Sequence, residues 1–310
     1  MLARSPTAVR VMEPREVAQR LQQLCSELGL RPKQAAYMVS KQPGYLLLTP
    51  LEAIRAKVQE LAAALGVPPA AVLRTALTVP SVLRRKTATV QRRVAAYSSL
   101  LRCTPLDVLH VLARGPEYLS DTPSSVRQRM IALGMVLRQP RCTIAAMLQA
   151  RPDLVSMSGK VMNTKVNGLM SILNKEKRHV VTLLVKLPAL MRCDLDCARA
   201  VFGGLQALLR KREGFVYAMI CHAPQLLLLT PRGLHQRGSA LRRCLAASPE
   251  WVAQFLQLRP PAVAQLILNR RGCLSAMMYL SERQRAGSAP LEQLLATGGP
   301  AAALGDSWAE

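Results

Sequence analysis

Basic side chains recur at regular intervals along this chain. A first series, whose members stand 36 or 72 residues apart, comprises Lys57, Arg93, Arg129, Lys165 and Arg237, with Val201 in the one remaining place. A second series, two residues earlier in the same register, comprises Arg55, Gln91, Arg127, Asn163, Arg199 and His235. A third series comprises Arg102, Arg138 and Arg210. Because no Asp or Glu interrupts the first two series, they indicate rows of cationic groups suited to phosphates.

The composition supports a polyanionic partner. The chain has 42 Lys and Arg against 18 Asp and Glu, a net charge of +24, so it attracts nucleic acid or an anionic membrane. The longest stretch without an acidic residue, Lys or Arg, residues 214–231, contains His222, Pro224 and Gln225, whereas a spanning helix needs about 20 apolar residues. We therefore expect no membrane association. Aromatic residues make up only 4%, which argues against a surface on which bases stack.

Other chemistries find little support in the sequence. The eight cysteines form no CxxC motif, and the closest pair, Cys193 and Cys197, lacks two further ligands at zinc-site spacing. We interpret them as reduced thiols that pack as small apolar groups. The chain has no Walker A loop and no GxGxxG, its four histidines occupy unrelated positions, and we place Asp194 and Asp196 on different sides of a turn. We expect no enzymatic activity, no metal and no cofactor.

A tandem repeat sets the register of the basic series. The first interval between its prolines is 37 residues and the other five are 36, and these prolines are Pro43, Pro80, Pro116, Pro152, Pro188, Pro224 and Pro260. Apolar residues recur three residues after each proline. They recur again seventeen residues after it, as Leu61, Tyr97, Leu133, Leu169, Leu205 and Leu241. For Leu61 the interval is eighteen residues, because the first unit has one extra residue. Several columns in one register indicate a true repeat.

Each repeat unit has the pattern of two α-helices. Before the proline, apolar residues such as Val108, Val111 and Leu112 share one helical face. After it, apolar residues recur ten, fourteen, seventeen and twenty-one positions on, which again places them on one face. Five helix starts carry an N-cap hydroxyl before a proline: Thr49, Thr104, Thr122, Thr230 and Ser248. The repeat proline ends the first helix, so Pro-x-x-Leu is predicted to form a short turn or 3₁₀ segment.

The fold class expected from this pattern is all-α. A two-helix unit cannot bury its apolar face alone, so about seven 36-residue units should stack into a superhelical solenoid. We divide the chain into a short basic leader at 1–13, similar to a transit-peptide remnant, and a repeat domain at 14–280. Residues 281–310 are expected to form a mostly disordered tail with a short helix around 291–295.

The repeat motif resembles that of a known family. Pro116 is followed by Leu119 and then by apolar residues seven and fourteen positions later, Val126 and Leu133. This pattern is similar to the motif of mitochondrial transcription termination factor (mTERF) proteins, of the organellar type found in plants and algae. The resemblance covers about residues 17–280. The last repeat departs from it, because small residues follow Pro260 where other repeats have larger ones.

The resemblance implies a curved superhelix whose basic groove holds nucleic acid, in a mitochondrion or chloroplast. Its implied work is transcription termination or regulation, organellar RNA maturation or ribosome assembly. Possible partners are double-stranded DNA, RNA, the transcription machinery and the organellar ribosome, and we expect a monomer. The alternative function is a helical-repeat scaffold that binds an acidic or ribosomal protein.

The predicted nucleic-acid-binding residues are the basic members of the three series: Arg55, Lys57, Arg93, Arg102, Arg127, Arg129, Arg138, Lys165, Arg199, Arg210 and Arg237. An alternative interpretation stays open for the first series. It lies roughly 70° from the centre of the apolar stripe, so a long side chain there can lay its alkyl stem along the edge of the core.

Overall fold

The computed structural model describes residues 13–210, 213–269, 272–283, 286–287 and 289–297. This part of the chain is all-helical and contains no β-strand. Contacts divide the protein into an N-terminal half, Met1–Met162, and a C-terminal half, Asn163–Glu310, which are described separately below. In both halves, helices pack against helices close to them in sequence.

The N-terminal half begins with α1 (Pro14–Leu28), α2 (Pro32–Lys41), α3 (Pro43–Leu48), α4 (Leu51–Leu65), α5 (Pro69–Thr78) and the 3₁₀ helix η1 (Pro80–Arg84). It continues with α6 (Thr87–Leu101), α7 (Pro105–Arg114), α8 (Glu117–Ser120), α9 (Pro123–Leu137), α10 (Arg141–Ala150) and η2 (Pro152–Ser156). A further helix, α11 (Gly159–Leu173), spans the division between the halves.

The C-terminal half continues with α12 (Lys177–Lys186), η3 (Pro188–Arg192), α13 (Leu195–Leu209), α14 (Glu213–His222), η4 (Pro224–Leu228) and α15 (Pro231–Ala246). It ends with α16 (Pro249–Gln257), α17 (Pro260–Ile267), α18 (Cys273–Glu282) and α19 (Leu291–Thr297).

One order of elements recurs: a long helix of about fifteen residues, a helix of ten, and a short segment that begins at a repeat proline. The predicted 3₁₀ segments are present in η1 to η4, while the equivalent residues in α3, α8 and α17 are α-helical. The ten-residue helices end before the proline because its ring cannot continue the hydrogen-bond ladder. Thr104 and Thr122 cap their helices as predicted, each accepting a backbone N–H bond three residues on.

The predicted apolar columns form the core. In the N-terminal half, Leu61, Tyr97 and Leu133 are at most 1% exposed. In the C-terminal half the same column is again buried, at Leu169, Leu205 and Leu241. These helical faces were therefore predicted correctly. Leu256 is an exception: it stands four residues before Pro260, in a column that the repeat places in the core, but it is 62% exposed. Burial of this apolar surface, rather than helix propensity, stabilises helices this short.

The end of the described chain packs onto the C-terminal half. Leu291 and Leu294 of α19 are buried, and Trp251 in α16 donates its indole N–H to the carbonyl of Ala289 over 2.9 Å. The short helix expected in the tail is thus present and packed. The predicted leader, apart from Glu13, and residues 298–310 of the predicted tail lie outside the described residues.

None of the described helices alone is both long and apolar enough to cross a bilayer. Helices α4 and α5 taken together meet the criteria of length and composition, but they are bent by 113° at the break between them.

Candidate nucleic-acid interface

The first basic series makes hydrogen bonds within the fold. In the N-terminal half, the guanidinium of Arg93 donates to the carbonyl of Leu119. That of Arg129 donates to the carbonyl of Val155 over 3.4 Å and pairs with Asp121 over 2.5 Å. In each case the acceptor carbonyl belongs to the short segment at the next repeat proline along the chain, which is α8 for Leu119 and η2 for Val155. The side chain therefore joins a long helix to the connector that follows it.

The other members of the first series also bond within the fold. Lys57 differs in its acceptor, which is the side-chain hydroxyl of Thr87 at the start of α6 rather than a backbone carbonyl. It also pairs with Glu60, and its side chain is 18% exposed. In the C-terminal half, Lys165 donates to the carbonyl of Cys193 over 2.8 Å, and Arg237 donates to that of Ile267 over 3.2 Å.

An additional member of this series, Arg20 in α1, was missed by the sequence reasoning. It donates to the carbonyls of Leu46 and Thr49. Its position, 37 residues before Lys57, was a signal that could have identified it.

Backbone acceptors explain the one-sided charge of the first series at every member except Lys57, namely at Arg93, Arg129, Lys165 and Arg237. Carbonyls at the end of a helical segment lack an intrahelical donor, and Lys or Arg can supply one whereas a carboxylate cannot. The stems lie along the edge of the core, and Val201 in the same series is fully buried. The structure therefore places these side chains between elements of the fold. Their contact with phosphate stays a prediction.

The second series is open to solvent. Arg55 and Arg199 are each 62% exposed and form surface ion pairs, with Glu27 over 3.4 Å and with Asp196 over 3.1 Å. Arg127 is exposed and has no bonded partner within the described part of the chain. Exposed ion pairs contribute little to stability, so these guanidinium groups can exchange one anion for another.

The third series occupies an unusual backbone position. Arg102, Arg138 and Arg210 end α6, α9 and α13 with φ of 55°, 50° and 48°. This left-handed conformation costs a residue with a β-carbon about 1 kcal/mol or more and is ordinarily taken by glycine. Gly29 and Gly66 hold the same position after α1 and α4, with φ of 62° and 64°. The three arginine side chains are all exposed.

The turn after α9 gathers several features that attract anions. Besides Arg138, it presents the exposed Arg141 at the first residue of α10. No side chain caps α10, so the N–H groups of its first turn lack a side-chain acceptor. We call residues 138–141 the basic turn. By contrast, Asp107 occupies the first turn of α7 and bonds Thr104, so the turn after Arg102 contains a competing carboxylate.

Other basic clusters are arranged differently. Arg84 is exposed and donates to the side chain of Gln42 over 3.0 Å, while Arg85 is half-buried. The basic residues Lys211, Arg212, Arg270 and Arg271 lie outside the described residues.

Two of the residues considered for catalysis or metal binding, Asp194 and Cys193, contribute to the fold of the C-terminal half. Asp194 accepts backbone N–H bonds from Cys197 and Asp196, both over 2.9 Å, and these bonds lower the pKa of its carboxyl. It is the N-cap of α13. Burial raises the pKa of the Cys193 thiol. No group of three or more His, Cys, Asp or Glu suited to a metal ion occurs in the described part of the chain.

No family model matches the chain, and no curated protein gives a significant match.

Proposed function

We propose that this protein is an mTERF-like nucleic-acid-binding protein of a mitochondrion or chloroplast, with about seven repeat units in a superhelical solenoid. It would regulate transcription, by termination or otherwise, or act in RNA processing, by holding the nucleic acid and without catalysis of its own. The recurring order of helices, the net charge of +24 and the motif after Pro116 support this proposal.

The observation that carries the proposal is the backbone conformation of the third series. The same place is taken by glycine after α1 and α4 and by asparagine, at Asn174, after α11, and these residues tolerate left-handed angles. After α15 the chain continues through Ala247 in a right-handed conformation instead. Arginine is strained there, and its favourable interaction with the helix C-terminus, typically about 0.3–1 kcal/mol, offsets only part of that cost. Strained residues that persist commonly have a functional role. For an exposed guanidinium in a chain this basic, that role is contact with phosphate.

The basic turn is the strongest single candidate for a phosphate contact. Arg138 and Arg141 bring two cationic groups to the N-terminus of α10, where free N–H groups and the helix dipole also favour an anion. Arg127 of the second series lies three turns earlier on the same long helix, α9. A phosphate backbone that follows this helix could contact both ends of it.

Salt-dependent binding tests the proposal. Binding of labelled duplex DNA and of single-stranded RNA is measured by fluorescence anisotropy between 50 and 300 mM KCl. Each phosphate contact contributes about 0.9 to the slope of log K against log salt for duplex, and about 0.7 for a single strand. The variant Arg102→Gly, Arg138→Gly, Arg210→Gly should lower that slope by about 2–3 and weaken binding to all sequences alike.

A matched control removes the same charge elsewhere. Arg74, Arg232 and Arg243 are exposed and belong to none of the three series, so their change to Gln should lower the slope by less than 1. Equal slopes for both triple variants would show that binding follows net charge alone and that the third series is not the site. Failure of the wild-type protein to bind either nucleic acid would overturn the function itself.

A further inference from the structure

Helix α9 exposes two large apolar side chains on its solvent face. Ile131 is 43% exposed and Met135 is 73% exposed, the highest value for any large apolar residue in the described chain. They stand four residues apart, so they form one continuous ridge on the helix. The opposite face is also apolar, and its Val126, Met130 and Leu133 belong to the core.

The other long helices provide an internal comparison for this ridge. Their residues at the two equivalent positions are small or polar: Gln59 and Ala63 in α4, Ala95 and Ser99 in α6, Asn167 and Ser171 in α11, Gly203 and Ala207 in α13, and Ser239 and Arg243 in α15. The same fold therefore forms without large apolar residues at these places. The packing of α9 therefore does not explain why positions 131 and 135 have large apolar side chains. Their exposure to water is unfavourable unless another molecule covers them.

The surroundings of the ridge are basic. Helix α6 packs beside α9, and its exposed Ala95 and Ser99 stand little above the helix surface. Neither helix contains Asp or Glu. Arginines lie toward both ends of this surface, Arg92 and Arg127 near the helix N-termini and Arg102 and Arg138 at the C-termini, and all four are exposed. Arg127 and Arg138 are eleven residues apart, or about 16 Å along the helix axis.

We propose that this surface, centred on Ile131 and Met135, is a docking site for an acidic amphipathic helix of a partner protein. A ridge with i, i+4 spacing beside small residues fits the apolar face of a second helix. Carboxylates of the partner helix that lie about one turn beyond each end of its apolar face would reach the four arginines. The flexible Met135 side chain can adapt to its partner.

Two other occupants fit less well. Aliphatic side chains offer no hydrogen bond to a phosphate backbone, so nucleic acid would leave the ridge unused. A second copy of this chain would bring another +24 of charge against the four arginines. A partner with the opposite charge and a matching apolar face satisfies both features of the surface.

The test uses a synthetic, fluorescently labelled 18-residue helical peptide as probe. It has Leu at three positions on one face, Glu within one turn of each end, and no basic residue. Its binding to the full chain is measured by anisotropy and compared with a peptide of the same composition in which the leucines are spread around the helix. We expect the first peptide to bind at least tenfold more tightly than the second.

The decisive variant is Ile131→Asn, Met135→Ser, which gives α9 the residues that α11 has as Asn167 and Ser171. Because both residues are exposed, thermal unfolding should be unchanged, whereas peptide binding should weaken at least tenfold. The control Leu256→Ser alters a residue that is 62% exposed on α16 and should bind the peptide like the wild type.

Three outcomes would overturn the proposal: no binding of the patterned peptide, equal binding of both peptides, or unchanged affinity in the double variant. A loss of nucleic-acid affinity with unchanged peptide affinity would assign the ridge to nucleic acid instead. Arg102, Arg127 and Arg138 are also the proposed phosphate contacts, so the partner helix and nucleic acid would compete for this surface. The peptide assay contains no nucleic acid, so a failure of peptide binding is distinguishable from a failure of nucleic-acid binding.

Discussion

At the scale of single residues, the local backbone and the local burial determine what a side chain can do. Arg138 and Gly66 hold equivalent places after their helices with nearly the same φ, 50° and 64°. They differ in what they contribute, since glycine relieves strain and arginine adds a charge. Tyr97 stands in a column of leucines, yet its one hydroxyl proton is shared between the carbonyls of Tyr118 and Asp121, which lie 2.7 and 3.0 Å from the hydroxyl oxygen.

Arg138→Gly should increase the free energy of unfolding by about 0.5 kcal/mol. Relief of left-handed strain outweighs the added entropy of glycine in the unfolded chain and the lost interaction with the helix dipole. The reverse change, Gly66→Arg, should lower it by a similar amount. Urea denaturation of both variants measures the difference, and a shift in the same direction for the two would contradict the explanation.

Tyr97→Phe should lower the free energy of unfolding by about 1–2 kcal/mol, because the hydrogen bond that the single hydroxyl proton shares between two carbonyls is lost without a change in shape. Burial raises the pKa of Tyr97 to about 12 from the ordinary value of 10.0. The protonated form of Tyr97 is therefore favoured in the folded state. Its contribution to the free energy of unfolding is present below pH 10 and is lost as the pH rises toward 12.

The pH dependence provides the check on this assignment. Urea unfolding at pH 8, 10 and 11 should show a smaller loss of stability with pH in Tyr97→Phe than in the wild type. Tyr118 is a neighbouring tyrosine whose pKa burial also raises, so part of the alkaline loss should remain in the variant. A pH profile identical to that of the wild type would show that Tyr97 does not contribute.

At the scale of elements, long side chains join each long helix to the connector that follows. Arg93 and Arg127 illustrate two uses of arginine, in α6 and α9 of the same half. The first is half-buried and donates to a carbonyl 26 residues away, and the second faces solvent. Their positions in the repeat differ by only two residues, which corresponds to a rotation of about 200° around a helix.

Arg93→Met should lower the free energy of unfolding by about 1–3 kcal/mol, since it retains the alkyl stem but leaves the Leu119 carbonyl without this donor. Arg127→Met removes the same charge and should change stability by less than about 0.5 kcal/mol. In nucleic-acid binding the order of the two effects should be reversed: Arg127→Met should change the slope of log K against log salt more than Arg93→Met does. Equal stabilities of the two variants would argue against a structural role for Arg93.

At the scale of the whole molecule, charge acts against stability. A chain with a net charge of +24 repels itself, and added salt screens that repulsion. The charge that favours a polyanion thus destabilises the free protein. A bound polyanion should relieve this repulsion as well as gain contacts.

Raising KCl from 50 to 500 mM should therefore increase Tm by a few degrees, equivalent to about 1 kcal/mol, while nucleic-acid affinity falls over the same range. Differential scanning fluorimetry measures the first effect. Sucrose at the same osmolality serves as a control, because it adds solute without adding ions that screen charge. A Tm that falls with KCl would show that attractive ion pairs outweigh the net repulsion.

The sequence by itself determined the helices, their buried faces and the register of their connectors. These follow from rules that act within a few residues: apolar spacing, N-caps and the inability of proline to continue a helix. Leu133 and Val126 were therefore placed in the core correctly. The sequence also identified Arg102 and Arg138 as a recurring pair, but not their positive φ, because arginine is not a residue that predicts a left-handed cap.

Only the tertiary structure decided what each basic side chain contacts. A row of lysines and arginines without acids is compatible with external phosphates and equally with internal carbonyls, because both accept hydrogen bonds from cations. Arg129 and Lys165 find such carbonyls 26 and 28 residues further along the chain. Distances of that kind are set by how one helix packs on the next, and no pattern of spacing along the sequence contains them.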